Sequence, residues 1–544
     1  MDAHGRVATA GPGHDPTDPE GVPTVMQRST PSARHEALIS WADTQSQAER
    51  LIPLLGRLHR ERGVVTSLYG RRLINLSAID VVKAHRFGRH ADAFQIPIDR
   101  TVELAEALLE AGTRGLSVDL AALLADHREA RVAEPQLTLA EFLERELPAP
   151  SADELVAQTA GRDVVLYGFG RIGRLVARIL INHAGSGGGP RLRAIVVRRG
   201  SDDDLVKRAS LLRRDSIHGP FEGTISVDHD AETILANGTL IQVIYADDPR
   251  EVDYSAHGIS DAILIDNTGR WRDEAGLRQH LERPGIARVL LTAPGKGDLP
   301  NIVHGVNSDS IGEAQIVSAA SCTTNAVTPV LKVLDDAFGV ERGHIETIHS
   351  FTNDQNLIDN FHKADRRGRA AGLNMVITET GAAKAVAKAL PKFEGKLTGN
   401  AIRVPTPDVS IVILNLELSR EVTAAEINDL IRVTSVRSPL RRQVGYVESP
   451  DAVSTDFLGA RQTGIVDGLA TVADGRHIVV YVWYDNEFGY SHQVVRIAEH
   501  LAGARPASGS WRAYPIAAPV VAGATERPAS APERVGDDLV TSDV

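Results

Sequence analysis

The chain of 544 residues has a formal net charge of −12, and 42% of its residues are hydrophobic. This length predicts two or three domains, each with a sizeable core. The acidic balance argues against a protein that binds nucleic acid or an anionic membrane, and a single cysteine excludes a disulfide framework and a cysteine-rich zinc site.

No window offers the run of about 18 apolar residues that a membrane-spanning helix needs. The N-terminal residues include acids and prolines and lack the apolar centre of a signal peptide. We therefore expect a cytoplasmic protein without a membrane or nucleic-acid partner, and we assign no metal ligands.

The first 150 residues predict two different kinds of segment. Residues 1–31 are rich in glycine, proline, aspartate and threonine, so we expect disorder there. Residues 32–150 predict an all-α N-terminal extension, because apolar residues recur at helical spacing, notably over 38–58, 100–109, 117–131 and 137–147. His85 and the arginines of 57–62 could bind a partner, but solvated helix faces are the preferred interpretation. A linker is predicted at 148–151.

A dinucleotide-binding pattern starts near Gly161. Residues 163–167 predict a strand, and GFGRIGR at 168–174 follows it and opens a helix. A GxGxxG motif in that position is the fingerprint of a nucleotide-binding turn. Gly168 permits the tight turn, Gly170 lets a pyrophosphate approach the backbone, and Gly173 allows close helix packing.

The end of the next strand, residues 192–197, bears on the choice of cofactor. An acid there would bond the adenine ribose of NAD, but this chain continues with Arg198, Arg199, Gly200 and Ser201 before three aspartates. The arginines could hold the 2′-phosphate of NADP, the aspartates could still reach the ribose, or both arginines could point to solvent. We expect NADP to be accepted, alongside NAD.

The only cysteine, Cys322, lies on a predicted strand-to-helix turn. Residues 316–320 form a short, mostly apolar run, and Val327, Val330, Leu331 and Leu334 then recur at helical spacing as far as Gly339. The positive end of a helix dipole lowers a thiol pKa and favours the nucleophilic thiolate. A buried cysteine that acts as a small hydrophobe is the alternative.

Six segments resemble, in the same order, the signatures of the phosphorylating glyceraldehyde-3-phosphate dehydrogenase family: GFGRIGR (168–174), SCTTN (321–325), HSFTNDQ (349–355), TGAAKAV (380–386), AIRVPTPDVS (401–410) and WYDNEFGYS (483–491). The resemblance runs from about Val164 to about Glu499. It implies an α/β protein with a Rossmann dinucleotide-binding domain at 161–321 and an α+β catalytic domain with a mixed sheet at 322–485. A closing helix at 486–503 and a disordered tail at 505–544 complete the predicted organisation.

The same resemblance implies the roles of individual residues. Cys322 and His349 are the predicted nucleophile and general base. The predicted cofactor-binding residues are Gly168, Gly170, Arg171, Ile172, Gly173, Arg198, Arg199, Thr268, Thr292 and Asn486. The predicted anion-binding residues are Thr352, Arg367 and Arg403 for the substrate phosphate, and Ser321, Thr323, Thr380 and Gly381 for inorganic phosphate, with Arg403 between the two.

The implied reaction is the reversible, phosphorylating oxidation of glyceraldehyde 3-phosphate with NAD or NADP, through a Cys322 hemithioacetal and thioester, in a homotetramer. It would serve glycolysis or gluconeogenesis. Two other functions remain open. An erythrose-4-phosphate dehydrogenase shares this fold and thiol but ends in hydrolysis, and a regulatory scaffold would hold the nucleotide without turnover.

Overall fold

The computed structural model of the protein describes residues 31–91, 96–147, 161–183 and 189–503. The disorder predicted at the two chain ends and the linker predicted at 148–151 fall outside these residues, except that Pro31 begins the first helix. The helices in this part of the chain are α1 (Pro31–Arg62), α2 (Ala78–Ala91), α3 (Ile98–Glu110), α4 (Leu120–Ala133), α5 (Leu139–Glu146), α6 (Arg171–His183), α7 (Asp204–Arg213), α8 (Glu274–Leu281), α9 (Cys322–Phe338), α10 (Ala382–Ala389), α11 (Ala424–Arg437) and α12 (Phe488–Leu501).

Three sheets accompany these helices. Their strands are β1 (Val65–Leu68), β2 (Arg71–Arg72), β3 (Ser117–Asp119), β4 (Arg162–Tyr167), β5 (Pro190–Val197), β6 (Ile225–Asp228), β7 (Thr233–Ala236), β8 (Thr239–Tyr245), β9 (Ala262–Asp266), β10 (Ile286–Leu291), β11 (Ile316–Ser318), β12 (Val340–Ser350), β13 (Val376–Thr378), β14 (Leu397–Val404), β15 (Ser410–Leu418), β16 (Val444–Val447), β17 (Gly464–Asp467), β18 (Val472–Asp474) and β19 (His477–Tyr484). The α/β fold class predicted from the sequence is confirmed.

The nucleotide-domain sheet has the strand order β11-β10-β9-β4-β5-β8-β7-β6. Its first six strands are parallel, and β7 and β6 are antiparallel additions at one edge. The strands β4 and β9 are buried on both faces, as parallel strands between helices usually are. The chain order reverses between these two strands, so the ligand crevice of an open α/β sheet lies at their carboxyl ends.

The catalytic-domain sheet is mixed, with the order β13-β14-β12-β15-β19-β17-β16 and β18 beside β19. Buried and exposed residues alternate along β15 and β19, because one face of these strands packs on the core. Helices α9 and α11 contribute side chains to that core. The closing helix α12 returns instead to the nucleotide domain and packs Tyr490, Val494 and Ile497 into its core.

The extension is mainly helical, but it is not all-α. Strands β2, β1 and β3 form a small sheet, in which Val65–Ser67 pairs in parallel with Ser117–Asp119. These strands have two to four residues, too few for a recognisable alternation of side chains. The predicted helix at Ser117 therefore begins later. Asp119 ends β3 and caps α4 by accepting hydrogen bonds from the Ala121 and Ala122 amides.

The interpretation of His85 as part of a solvated face is wrong. His85 is 1% exposed, and its ring nitrogens lie 2.8 Å from the Val81 carbonyl oxygen and 2.8 Å from the Thr101 hydroxyl. The extension has its own apolar core, to which Val436 of the catalytic domain contributes. No helix in the described part of the chain is long and apolar enough to span a bilayer.

Candidate active site

The turn that carries Cys322 is built by the start of α9. Ser321 is the N-cap, and its hydroxyl accepts a hydrogen bond from the Thr324 amide at 3.1 Å. The preceding Ala320 has φ +54°, a left-handed conformation that non-glycine residues seldom adopt. The side chain of Cys322 is only partly buried. Cys322 thus lies on a strand-to-helix turn, as predicted, and the turn presents its sulfur at the first helical position.

His349 reaches this sulfur from the catalytic sheet. It stands near the end of β12, and Arg403 is its partner on the parallel strand β14. The His349 Nε2 atom lies 3.5 Å from Cys322 Sγ. Arg403 Nη1 lies 2.6 Å from His349 Nδ1 and 3.1 Å from the Ser350 carbonyl oxygen. The fold thus brings thiol, imidazole and guanidinium together from three separate elements.

The Ser350 carbonyl bears on which nitrogen of His349 holds the proton. This oxygen lies 2.7 Å from His349 Nδ1. The carbonyl favours a proton on Nδ1, which leaves the Nε2 lone pair facing the sulfur, the tautomer that a general base at Nε2 requires. Arg403 Nη1 can only donate, so its contact with Nδ1 favours the opposite tautomer, with the proton on Nε2.

The ionisation of this group differs from the sequence-based expectation. Burial raises the pKa of the Cys322 thiol, although the Arg403 guanidinium and the hydrogen bonds at the helix start act in the opposite direction. The expected lowered thiol pKa is therefore wrong, because removing the sulfur from water outweighs the helix start. Burial and the nearby Arg403 charge lower the pKa of His349 to about 3, which leaves a neutral imidazole.

Tyr484, at the end of β19, was not predicted from the sequence. Its hydroxyl lies 3.0 Å from the Thr323 hydroxyl and 2.8 Å from the Thr347 hydroxyl. Burial raises the pKa of Tyr484, so the phenol stays protonated. The hydroxyls of Ser321 and Thr323, predicted to bind phosphate, are thus already engaged, one in the helix cap and one with Tyr484.

The other predicted anion-binding residues lie around the same side of the catalytic domain. Arg367 pairs with Asp354 and donates to the Thr378 hydroxyl at 3.0 Å. Thr380 and Gly381 precede α10, and the Thr380 hydroxyl accepts from the Ala382 amide at 3.2 Å. Thr352 follows the end of β12. Arg367 is therefore held in place by an acid and a hydroxyl.

The glycine-rich turn has the geometry expected of a nucleotide site. Gly168 has φ +91°, and a Cβ on it would lie 2.9 Å from the Thr268 methyl group. A Cβ on Gly173 would lie 2.6 Å from the Gly168 carbonyl oxygen, so this helix packs too closely for any side chain. A Cβ on Gly170 would meet no atom within 4 Å. The turn is therefore tight on two sides and open where a pyrophosphate would approach.

Asp266 orders the far wall of this crevice and was missed in the sequence. Its buried carboxylate accepts from the Thr268 amide at 2.7 Å and from the Thr268 hydroxyl at 2.6 Å. Its carbonyl oxygen accepts from the amide and the hydroxyl of Thr292, both at 3.0 Å. The two predicted threonines thus lie at neighbouring strand ends, fixed by one residue.

Asn486 enters the crevice from the catalytic side. Its side-chain oxygen accepts from the Ser350 hydroxyl at 3.0 Å and from the Ser410 hydroxyl at 2.8 Å. The side-chain NH₂ is then the group that can meet a carboxamide oxygen. Val409, next to Ser410, has φ +63°, which is strained for a β-branched residue. The open glycine turn and this amide fit a nicotinamide dinucleotide.

Comparison with known proteins identifies the family. The family model for the NAD binding domain of glyceraldehyde 3-phosphate dehydrogenase matches residues 162–274, and the model for its C-terminal domain matches residues 321–486. The chain is 56% identical to a glyceraldehyde-3-phosphate dehydrogenase-like protein of Pseudomonas aeruginosa (strain UCBPP-PA14) over 459 residues, which cover 84% of this chain and 99% of the relative. It is 41% identical to glyceraldehyde-3-phosphate dehydrogenase 1 of Bacillus subtilis (strain 168) over 342 residues, or 62% of this chain and 98% of the relative.

The chain belongs to the glyceraldehyde-3-phosphate dehydrogenase family. It is an oxidoreductase with a nicotinamide-dinucleotide-binding domain. The match to the Pseudomonas protein is longer than residues 161–503, so it includes part of the extension.

The side chain of Arg171, which was predicted to bind the cofactor, instead forms ion pairs within the protein. In this dehydrogenase its guanidinium pairs with Glu487 and, at 3.1 Å, with Asp215. His218 Nε2 lies 3.2 Å from Asp408 and 2.8 Å from Asp485, and against the effect of burial these two carboxylates raise the pKa of His218 to about 10. Only the backbone of Arg171 and Ile172, at the start of α6, remains available to a pyrophosphate.

Ligand atoms of His218, Asp408 and Glu487 lie within 4.8 Å of one another, a spacing that could hold a metal ion. His218 Nε2 lies 3.2 Å from Asp408, and Glu487 pairs with the Arg171 guanidinium. In this dehydrogenase the group is therefore a network of ion pairs between the two domains.

The two arginines after β5 are not equivalent in this dehydrogenase. Arg199 pairs with Glu232, and its guanidinium carbon lies 3.6 Å from the centre of the Tyr245 ring. Arg198 is exposed, and its carbonyl oxygen accepts from Arg208 at 2.7 Å. Lys207 donates to the Ser201 hydroxyl at 3.0 Å. Arg199 is thus occupied, whereas no contact restrains the Arg198 side chain among the described residues.

The glycine geometry predicts opposite effects of two alanine substitutions. Gly170→Ala should change the free energy of unfolding by less than about 1 kcal/mol, yet weaken NAD binding at least about tenfold, because its methyl fills the open approach. Gly173→Ala should cost about 1–3 kcal/mol of stability through the contact with Gly168. Denaturant unfolding and calorimetric titration with NAD measure the two effects. Equal losses of stability in both variants would contradict this assignment.

The raised thiol pKa predicts the pH dependence of alkylation. The rate at which iodoacetamide modifies Cys322 should keep rising between pH 7 and 9, because the thiolate fraction grows with pH below a raised pKa. Arg403→Gln should slow the reaction at pH 8, since it removes a charge that lowers the thiol pKa, whereas Arg342→Gln on the outer surface should not. A rate that is constant above pH 6 would instead indicate a preformed thiolate.

Proposed function

We propose that the protein catalyses the phosphorylating oxidation of glyceraldehyde 3-phosphate to 1,3-bisphosphoglycerate, with NAD or NADP. The observation that carries this proposal is the contact of Cys322 Sγ with His349 Nε2 at 3.5 Å, beside the Arg403 guanidinium. Family membership alone would leave the reaction open. A thiol, a neutral base and a fixed cation in one site supply the groups that acyl transfer requires.

The chain's own residues account for the oxidation half of the reaction. Cys322 Sγ adds to the aldehyde carbon while the thiol proton passes to the carbonyl oxygen, which gives a neutral hemithioacetal. His349 Nε2 then accepts the hydroxyl proton while the carbon loses a hydride, which leaves a thioester on the sulfur. The nicotinamide, when bound, accepts that hydride, and the Asn486 amide orients its ring.

The anion-binding residues account for the second half. Arg403 and Arg367 offer planar, permanently charged forks to the substrate phosphate, with Thr352 beside them. Inorganic phosphate would be held near Thr380 and Gly381, with Ser321 and Thr323 supplying the helix start. An oxygen of inorganic phosphate attacks the thioester carbon, the carbon–sulfur bond breaks, and Cys322 leaves as the thiolate with an acyl phosphate as product.

Partner and location belong to the same proposal. The loop between β12 and β13 exposes large apolar side chains: Leu357, Ile358, Phe361, Leu373 and Met375. An exposed apolar patch of this kind supports self-association, and we infer a homotetramer. We also infer that the protein acts in the cytoplasm, in glycolysis or gluconeogenesis.

Turnover with and without phosphate tests the reaction. Without phosphate, glyceraldehyde 3-phosphate and NAD should give a burst of about one NADH per active site and then stop, because the thioester persists. Added phosphate should restore steady turnover, and His349→Asn should lower kcat about 10²- to 10⁴-fold. Fast turnover without phosphate, with erythrose 4-phosphate as the better substrate, would instead indicate a hydrolysing enzyme. No turnover of either aldehyde would favour a nucleotide-holding scaffold.

The two arginines after β5 give a matched test of cofactor choice. Arg198→Ala should lower kcat/KM for NADP about tenfold or more and leave that for NAD nearly unchanged, because only the 2′-phosphate needs the charge. Arg199→Ala should have a smaller effect on NADP, since Glu232 already pairs with this side chain. If the ratio of kcat/KM for NADP to kcat/KM for NAD is the same in both variants and in the parent protein, neither arginine binds the 2′-phosphate.

A further inference from the structure

A cluster of arginines lies where the extension meets the dehydrogenase body. Arg72 comes from strand β2 of the extension, Arg442 from the turn after α11, Arg461 from the loop before β17, and Arg496 from α12. One carboxylate, Glu499 of α12, lies among them. We call these five residues the junction cluster. It lies outside the active site, and the proposed reaction uses none of its members.

Glu499 is already fully engaged. One of its oxygens lies 3.2 Å from Arg72 Nη2 and 3.2 Å from His183 Nδ1, and the other lies 3.6 Å from Arg442 Nη2. Among the described residues, no carboxylate lies within ion-pair distance of Arg461 or Arg496. Four guanidinium groups therefore share one ion-paired carboxylate, and Glu222 acts on Arg461 from beyond ion-pair distance.

The positive charges repel one another as a result. Burial lowers the pKa of Arg72 to about 10; Glu499 opposes this shift, and Arg442 and Arg461 add to it. Burial also lowers the pKa of Arg496, again with contributions from Arg442 and Arg461. An unneutralised group of cations is costly to bury, and an anion bound among them removes that cost.

The cluster has a buried floor and an accessible rim. Arg496 and His492 are 4% and 6% exposed, and Arg496 Nε and His492 Nε2 have no hydrogen-bond partner among the described residues. The side chains of Arg72 and Arg442 are 23% and 32% exposed, and Arg461 is exposed. Arg496 Nη1 and Nη2 already donate to Gln493 and to the Arg461 carbonyl oxygen, so Arg496 Nε is the unused donor at depth and the guanidinium groups of the rim supply the others.

We propose that the junction cluster binds a small anion that carries two phosphoryl groups, a bisphosphate or a pyrophosphate. Guanidinium groups suit phosphoryl oxygens because their planar fork donates two parallel hydrogen bonds. A single phosphate ester carries about −1.5 to −2 charges, so it would leave part of the cluster's positive charge unbalanced. Donors at two depths match two phosphoryl groups, one against Arg496 and one at the rim.

Side-chain hydrogen bonds connect this site to the turn that holds the nucleophile. Arg496 Nη1 donates to Gln493 at 2.8 Å, and Gln493 donates to Asn325 at 3.2 Å. Asn325 in turn donates to the Ser321 carbonyl oxygen at 2.9 Å, next to Cys322. An anion that draws Arg496 away from Gln493 would act on this path, so the site is placed to modulate the enzyme.

Calorimetric titration of the full chain with sodium pyrophosphate tests the site. An Arg403→Gln background removes the main catalytic anion ligand, and saturation with NAD fills the glycine turn, so that remaining binding reports the junction cluster. We expect about one pyrophosphate per chain, bound more tightly than inorganic phosphate. Adding Arg461→Gln or Arg72→Gln should weaken binding at least about tenfold, whereas adding Arg342→Gln, an arginine on the outer surface of β12, should not change it.

Two results would overturn the proposal. One is the absence of pyrophosphate binding in the Arg403→Gln protein; the other is binding that Arg461→Gln and Arg72→Gln leave unchanged. Arg461→Gln keeps the test decisive if Arg72→Gln unfolds the extension, because the Arg461 side chain is exposed and has no hydrogen-bond partner among the described residues. If pyrophosphate does not bind and Arg461→Gln weakens subunit association in sedimentation, the arginines serve an interface between copies instead. The outcome is independent of the catalytic assignment.

Discussion

The active site depends on the contact between Arg403 and His349, which the parallel register of β12 and β14 imposes. The guanidinium favours an anion on Cys322, although burial still raises the pKa of that thiol, and together with burial it lowers the pKa of His349 and so opposes a cation there. It therefore disfavours the thiolate–imidazolium pair common to many cysteine enzymes. The favoured form before reaction has a protonated thiol beside a neutral imidazole, and that imidazole can accept the proton of the hemithioacetal.

Backbone strain accompanies this arrangement on both sides of the site. Ala320 aims the start of α9, and Val409 lies beside the serine that holds Asn486. Each has a positive φ that its side chain disfavours, at a cost of about 1–3 kcal/mol. Neither residue touches the reacting atoms. The strain is tolerated because α9 and β15 are both anchored in the catalytic core, which fixes the turn that precedes each of them.

The sequence predicted those features that depend on short segments. The glycine turn, the strand before it and the strand-to-helix turn at Cys322 are each encoded within about ten residues, and the structure has all three at the predicted places. The thiol pKa could not be predicted in this way, because burial is set by distant strands such as β19. The partners of Arg171 and Arg199 were missed for the same reason, since Glu487 and Glu232 lie far away in the chain.

The extension joins the dehydrogenase body through a mainly polar junction. Its apolar core is its own apart from Val436, and the ion pair of Arg72 with Glu499 crosses to the closing helix. Polar interfaces between domains permit relative motion more readily than apolar ones. Helix α12 is the element that such motion would reach first, because it carries Glu499 on one face and packs into the nucleotide-domain core with the other. The same helix donates a hydrogen bond to Asn325 in the first turn of α9. One rigid element therefore connects movement of the extension with the turn that carries Cys322.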